Sequence, residues 1–198
     1  MTIPAFGRRL RWQRERAGLD TRPLAQRLGM ARETLNRIEN GHQGARPNAH
    51  RVKRAAEVFG VPEYYFTTDS VKEIMARMVA ELPFGELSKM DTTGKRLTWA
   101  IDQLARLFPP QEFNLDALRK GLGISAEDLR RYCEGQAIAP PHFVSTFAAE
   151  TGIRVDFLSG GIRSEGPLTF DAVVELAHRR GVTPEQLLQA VEALKPGP

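Results

Sequence analysis

The sequence predicts an all-α protein, and three observations carry that reading. Apolar residues recur at helical spacing through most of the chain. Glycines follow the ends of those periodic runs, where helices stop. No stretch shows the strict apolar–polar alternation of a half-buried strand. The runs group into two tandem five-helix modules, residues 1–68 and 94–161. An amphipathic helix and connector, residues 69–93, joins them, and a helical pair, residues 162–198, ends the chain.

Composition narrows the class. Apolar residues are 41% of the 198 and charged residues 26%, a soluble globular profile. The single cysteine, Cys133, excludes an intrachain disulfide framework and a multi-Cys zinc site, and suits a reducing compartment. His42, His50, His142 and His178 show no metal-ligand spacing, so no metal or other cofactor is expected. No run approaches the ~20 apolar residues of a membrane span. The start, Met1 to Arg9, lacks the apolar core of a signal peptide. A cytoplasmic protein with no membrane partner is expected.

Charge is unevenly placed. Residues 1–66 hold 13 Lys and Arg against 6 Asp and Glu, net +7, while the remainder is net −3. A concentrated basic region is the footprint of a polyanion, or else a solvated helical surface.

The first helix runs from about Phe6 to Ala17 around Leu10, with Gly18 as its stop. Asp20 is placed to cap the second; Pro23 at the third helical position has no N–H, so the cap must serve Arg22. That helix carries Leu24, Ala25 and Leu28 and stops at Gly29. The third spans Arg32 to about Asn40, with Leu35 and Ile38 inward and Gly41 as stop. Beyond a loop through Gly44 and Pro47, a fourth buries Val52, Ala55, Ala56 and Phe59 and ends at Gly60. Val61 to Phe66 forms a short closing helix.

The words Leu24-Ala25-x-x-Leu28-Gly29-Met30, Leu35-x-x-Ile38-Glu39-Asn40-Gly41, Pro47 and Ala56-x-x-x-Gly60-Val61 occur in order. In this order and spacing they resemble the Cro/C1-type, lambda-repressor-like helix-turn-helix family, over roughly the first 66 residues. The residue types suit that fold. Ala25 is small where two helices cross, Gly29 permits a positive φ in the turn, and the third helix is polar on its outer face. The resemblance implies that this third helix enters the major groove of double-stranded DNA. Carried over by position, Arg32, Glu33, Asn36 and Arg37 are the base-contacting side chains. Arg32 and Arg37 suit guanine and Asn36 suits adenine; Glu33 either accepts from cytosine N4 or orients an arginine. Thr21, Arg22 and Asn40 are implied phosphate contacts. The family usually has Gln at the position of Thr21, so that reach is shorter here. The family also pairs an arginine late in the first helix with the Glu of the Ile-Glu-Asn-Gly word, here Arg14 with Glu39.

The second module reads as a degenerate copy. Leu24-x-x-x-Leu28-Gly29-Met30 falls on Leu118-x-x-x-Leu122-Gly123-Ile124, an offset of 94. The same offset sets Leu35 on Leu129, Glu39 on Cys133 and Arg14 on Phe108, so both halves of the ion pair become apolar. A helix from about Gly94 to Phe108 precedes these words, and Asn114 is a cap for the next. Arg32-Glu33-Thr34 is replaced by Ala126-Glu127-Asp128, and residues 97–160 are net −2, with Arg130 and Arg131 as exceptions. Cys133 reads as a small buried hydrophobe rather than a redox sensor.

Between the modules, the capping word Ser70-x-x-Glu73 opens a helix ended by Pro83. Val71, Ile74, Met75, Met78, Val79 and Leu82 form one stripe, either packed on its own chain or a dimer contact. Phe84 to Thr93 reads as a polar connector. In the tail, Ala177-x-x-x-Gly181-Val182 repeats the end of a module. Arg154, Asp156 and Arg163 form either a solvated turn or an anion site.

No Walker-type loop or Cys/His pair supports an enzyme, and a Ser/Lys dyad would need a β-rich domain. The expected function is a sequence-specific transcriptional regulator, a nucleoid-associated homodimeric repressor, with residues 94–198 as the place for an effector or protein partner. The alternative is an interaction protein, such as an antitoxin or adaptor, using the same fold.

Overall fold

The structure is a computed structural model that describes residues 5–42 and 48–159. The expected C-terminal helical pair, Arg163 and the loop positions Gly44 and Pro47 lie outside the described residues. Those residues form twelve helices and no strand.

The first five are α1 (Ala5–Arg16), α2 (Thr21–Arg27), α3 (Arg32–Glu39), α4 (Ala49–Phe59) and α5 (Tyr64–Thr67). Phe6, Leu10, Leu24, Ala25, Leu28, Leu35, Ile38, Ala55 and Phe66 close their core. Gly29 joins α2 to α3 at φ +65°, a conformation that costs glycine nothing, and the Arg54 guanidinium occupies the space a β-carbon would take. Two expectations are corrected here. Asp20 has the extended backbone of a helix N-cap, but its carboxylate accepts no capping bond: Pro23 removes one donor and Arg22 N–H is not reached. The closing helix begins at Tyr64 rather than Val61, because Pro62 keeps the preceding residue extended.

Next come α6 (Val71–Ala80) and α7 (Phe84–Lys89). Ser70 caps α6 by accepting from Glu73 N–H at 3.3 Å. Ile74 and Met75 are fully buried, and Val71, Met78, Val79 and Leu82 pack half-buried against the same core. The stripe is thus largely spent within the chain, with α11 (Pro141–Thr151) as a main neighbour. The expected polar connector is instead helical over α7. Pro83 supplies its extended start, and Lys89 and Glu86 pair at 2.7 Å on its surface.

The remaining helices are α8 (Thr93–Leu107), α9 (Leu115–Gly121), α10 (Ala126–Cys133), α11 and α12 (Val155–Leu158). α9 to α12 have 7, 8, 11 and 4 residues, the same lengths as α2 to α5. α8 and α10 cross closely at Gly94, where a β-carbon would lie 2.6 Å from the Tyr132 carbonyl oxygen.

The first helices of the two groups correspond in a register the offset of 94 does not give. Gly7-Arg8-Arg9-Leu10-x-Trp12 matches Gly94-Lys95-Arg96-Leu97-x-Trp99 at an offset of 87. The structure supplies the reason. Arg9 is buried, donates to Tyr65 O at 2.6 Å and lies 5.4 Å from the Tyr65 ring centroid. Arg96 is buried, donates to Phe157 O at 2.5 Å and lies 5.4 Å from the Phe157 centroid. Each arginine ties the first helix of its group to the short fifth. In this register the counterpart of Arg14 is Ile101, which corrects Phe108. Phe108 lies at the far end of α8 from Cys133 and packs instead on Tyr65 at 5.8 Å. The second group therefore has seven more residues between this Gly-basic-Arg-Leu word and its second helix.

Candidate nucleic-acid interface

Leu35 and Ile38 anchor α3 in the core, so the opposite face is turned outward. Arg32, Glu33 and Arg37 are exposed and Asn36 is half-exposed. Arg32, Asn36 and Asn40 follow one another at four-residue intervals, and Glu33 and Arg37 make a parallel row. None of these side chains has a hydrogen-bond or ion-pair partner among the described residues. Asn40 is exposed at the α3 C-cap; Arg22 is exposed and Thr21 half-buried on the first turn of α2. The structure thus brings the expected base-facing residues onto one helix face, with the expected phosphate contacts at the ends of α2 and α3.

The chemistry of that face is open. Neither Asp20 before α2 nor Ala31 before α3 gives a side-chain cap, so the first N–H groups of both helices stay uncommitted to side chains. Such ends attract anions. Guanidinium, amide and carboxylate groups side by side match the donors and acceptors of base edges.

The helix is held from behind. Arg14 Nε and Nη2 donate to Glu39 Oε1 and Oε2, each at 2.8 Å, a bidentate fork. Arg14 Nη1 also donates to Leu19 O at 3.1 Å. Side-chain exposures of 13% for Arg14 and 5% for Glu39 make the pair more than a surface contact. The hydrogen bonds to Glu39 raise the Arg14 pKa further above its ordinary value, against the opposing effect of burial.

Other candidates come out differently. Arg154 pairs with Asp156 at 2.6 Å within one turn. Cys133 is half-buried, and burial pushes its thiol pKa up. Among the described residues, no cluster of His, Cys, Asp and Glu could hold a metal, and no helix is long and apolar enough to cross a membrane. Arg9, Arg96 and Glu112 were not legible as buried charges. In the sequence Arg9 is one of several arginines on a basic helix, and only the repeated Gly-basic-Arg-Leu-x-Trp word sets it apart.

Comparison with known proteins agrees with this geometry over the first four helices. Residues 5–64 match the family described as helix-turn-helix domain. The propionyl-CoA carboxylase regulator of Cereibacter sphaeroides is 26% identical over 178 residues, covering 80% of this chain and 38% of that protein. The chain thus spans well under half the length of that relative. No solved structure matches. Over its first third the chain is thus similar to a helix-turn-helix domain, and the described residues are helical throughout that match and beyond it.

Proposed function

We propose that the chain is a sequence-specific double-stranded-DNA-binding transcriptional regulator that reads the major groove with α3. The carrying observation is the outward face of α3, with Arg32, Glu33, Asn36 and Arg37 unpartnered among the described residues of a helix-turn-helix domain. The net +7 of residues 1–66 supports it, since phosphate neutralisation dominates non-specific affinity. The regulator name of the relative points the same way.

The finer reading is a Cro/C1-type repressor that works as a homodimer on the nucleoid and has no enzymatic role. One domain covers little DNA, and a two-fold dimer presents two recognition helices about 34 Å apart. The partly exposed Val71, Met78, Val79 and Leu82 and the segment 94–198 are the surfaces for that contact or for an effector. Residues 94–161 serve as a degenerate second copy that keeps the packing and gives up the DNA. Equal helix lengths and the twin Arg9 and Arg96 contacts support that part of the reading.

The test is selection of duplexes from a random-sequence pool by the purified chain, repeated with Arg32→Ala. The expected result is one enriched motif, and for Arg32→Ala a loss of about 1–3 kcal/mol with relaxed preference at one position. Failure to enrich any motif would sink the reading and favour the interaction-protein alternative.

A further inference from the structure

We infer that Glu112, in the second five-helix group, is a positioning residue for the recognition helix of the first. The inference rests on the DNA-binding reading of α3.

α1 is shared by the two groups. On its inner side Arg14 holds Glu39 at the end of α3, and α3 packs mainly on α1 and α2. Its other sides are gripped by the second group. Arg8 Nε donates to Glu112 Oε1 at 3.0 Å, and Arg9 Nε to Glu112 Oε2 at 2.7 Å. One turn on, Trp12 Nε1 and Gln13 Nε2 both donate to Arg106 O, at 3.2 and 3.1 Å. Arg16 Nη1 reaches Ala105 O at 3.3 Å. Those carbonyls belong to the last turn of α8, which has no helical partners for them. α1 thus serves as the cap of α8 while α8 and its loop fix α1.

Glu112 is the critical member because of Arg9. The Arg9 side chain is fully buried. Its other nitrogens donate to Tyr65 O, Thr68 O and Asp69 O, at 2.6, 2.5 and 3.0 Å. These carbonyls satisfy its donors without cancelling its charge, and Glu112 is the carboxylate paired with it. A buried cation stripped of its anion is strongly unfavourable and seeks water. The route to water is outward movement of α1. Arg9 and Arg14 are five residues apart on one helix, about 7.5 Å along its axis, so movement at one is carried to the other and to Glu39.

Glu112 also lies where the two groups differ. It falls in the stretch that makes the second group seven residues longer between the Gly-basic-Arg-Leu word and its second helix. The corresponding buried arginine, Arg96, has no ion pair among the described residues and is met by the Met90 and Phe157 carbonyls. The extra residues supply the anion that the first group uses.

The experiment compares full-length wild type, Glu112→Gln, Glu112→Ala and, as a control on an exposed carboxylate away from α1, Glu150→Ala. One readout is amide hydrogen exchange without DNA. The other is affinity for the duplex that the wild type enriches from the random pool. Expected for Glu112→Ala is exchange in α3 about tenfold faster with α10 unchanged, the mark of local rather than global opening. Affinity should fall about tenfold, about 1.4 kcal/mol, with the salt slope unchanged because no phosphate contact is lost. Glu112→Gln, which keeps the volume and an acceptor oxygen, should fall between, and Glu150→Ala should match wild type. Wild-type exchange in α3, or equal acceleration in α3 and α10, overturns the inference. If the alanine variant does not fold, the glutamine variant decides on the same criteria. If the wild type enriches no duplex, the DNA reading falls while α3 exchange still decides the link.

Discussion

α3 and α10 are each the third helix of a five-helix group, each eight residues long, and each carries arginines on its outer face. What separates them is chiefly Arg130, since exposed Arg131, like Arg32 and Arg37, has no hydrogen-bond or ion-pair partner among the described residues. Arg32 and Arg37 have no partner among the described residues. Arg130 is held by Glu127 at 2.6 Å and Glu134 at 2.9 Å, on its own helix. The mutual effect is a Glu127 carboxyl held below its usual pKa, chiefly by the hydrogen bond from Arg130, and an Arg130 pushed above its own. The helix starts differ in the same sense. Asn114 caps α9 by accepting from Ala117 N–H at 2.9 Å, and Ser125 caps α10 by accepting from Asp128 N–H at 2.9 Å. α2 and α3 have no such caps. Open N–H donors at a helix start suit an anion, whereas donors satisfied by a cap gain stability and have less to offer one. Residue type alone does not distinguish the two; the pairing of Arg130 and the helix caps do.

The largest expected effect tests the open face directly. Replacing Asn36 and Arg37 together by alanine removes two of the four side chains proposed to contact base edges. Specific binding should collapse toward the non-specific level, typically about 4 kcal/mol or more above it in free energy. Competition binding against unrelated duplex measures the loss. A double variant that still prefers the selected site would move the reading surface off α3.

Next is the fork that holds α3. Glu39→Ala leaves Arg14, in a mostly buried site, with only Leu19 O and a looser 3.6 Å contact to the half-exposed Glu15 carboxylate. Thermal or denaturant unfolding should show a loss of about 3 kcal/mol, with DNA affinity falling in parallel. The equivalent positions in the second group are Ile101 and Cys133, both half-buried against apolar neighbours, so no charged fork exists there to break. Cys133→Ala should accordingly cost much less. A wild-type melting curve for Glu39→Ala would remove the fork from the account.

How much of this was readable in the sequence follows from the range of the forces involved. The helices of the first domain were legible because glycine stops and apolar spacing act within a few residues, as Gly29 and Gly60 show with positive φ. The Arg14–Glu39 pair came from resemblance, not from spacing. Asp20 was misread because a cap residue at the right position need not reach a donor, and Pro23 had already removed one. α7 was missed because its six residues have little periodicity; a proline start and a Glu86–Lys89 pair suffice for it. Arg9 and Glu112 were invisible for a different reason. They are over a hundred residues apart, and the carbonyls that bury Arg9 come from a third place in the chain. Only comparison of Gly7–Trp12 with Gly94–Trp99 could have marked Arg9 as a core residue.

A smaller effect tests the closed face. Ser125→Ala removes the acceptor at the start of α10 and should cost about 1 kcal/mol of stability without changing DNA affinity. A fall in DNA affinity at unchanged melting temperature would mean that this helix start contacts DNA after all.

The smallest expected effect is the sharpest test of the comparison. Arg130→Ala with Arg131→Ala removes two cations from α10, the third helix of the second group. If α10 lay on DNA, losing both would cost phosphate attraction and lower the salt slope by about two. The structure argues against that use. Arg130 is already bound to two carboxylates, and Glu127 beside the helix start would face the phosphates with its negative charge. To bind DNA, Arg130 would first have to give up Glu127 and Glu134, so the gain from any phosphate contact would be small. The double variant should bind the selected duplex within about threefold of wild type, under 1 kcal/mol, and with the same salt slope. Loss as severe as that of the Asn36/Arg37 variant would make α10 a second reader, and the chain a tandem binder on an extended site.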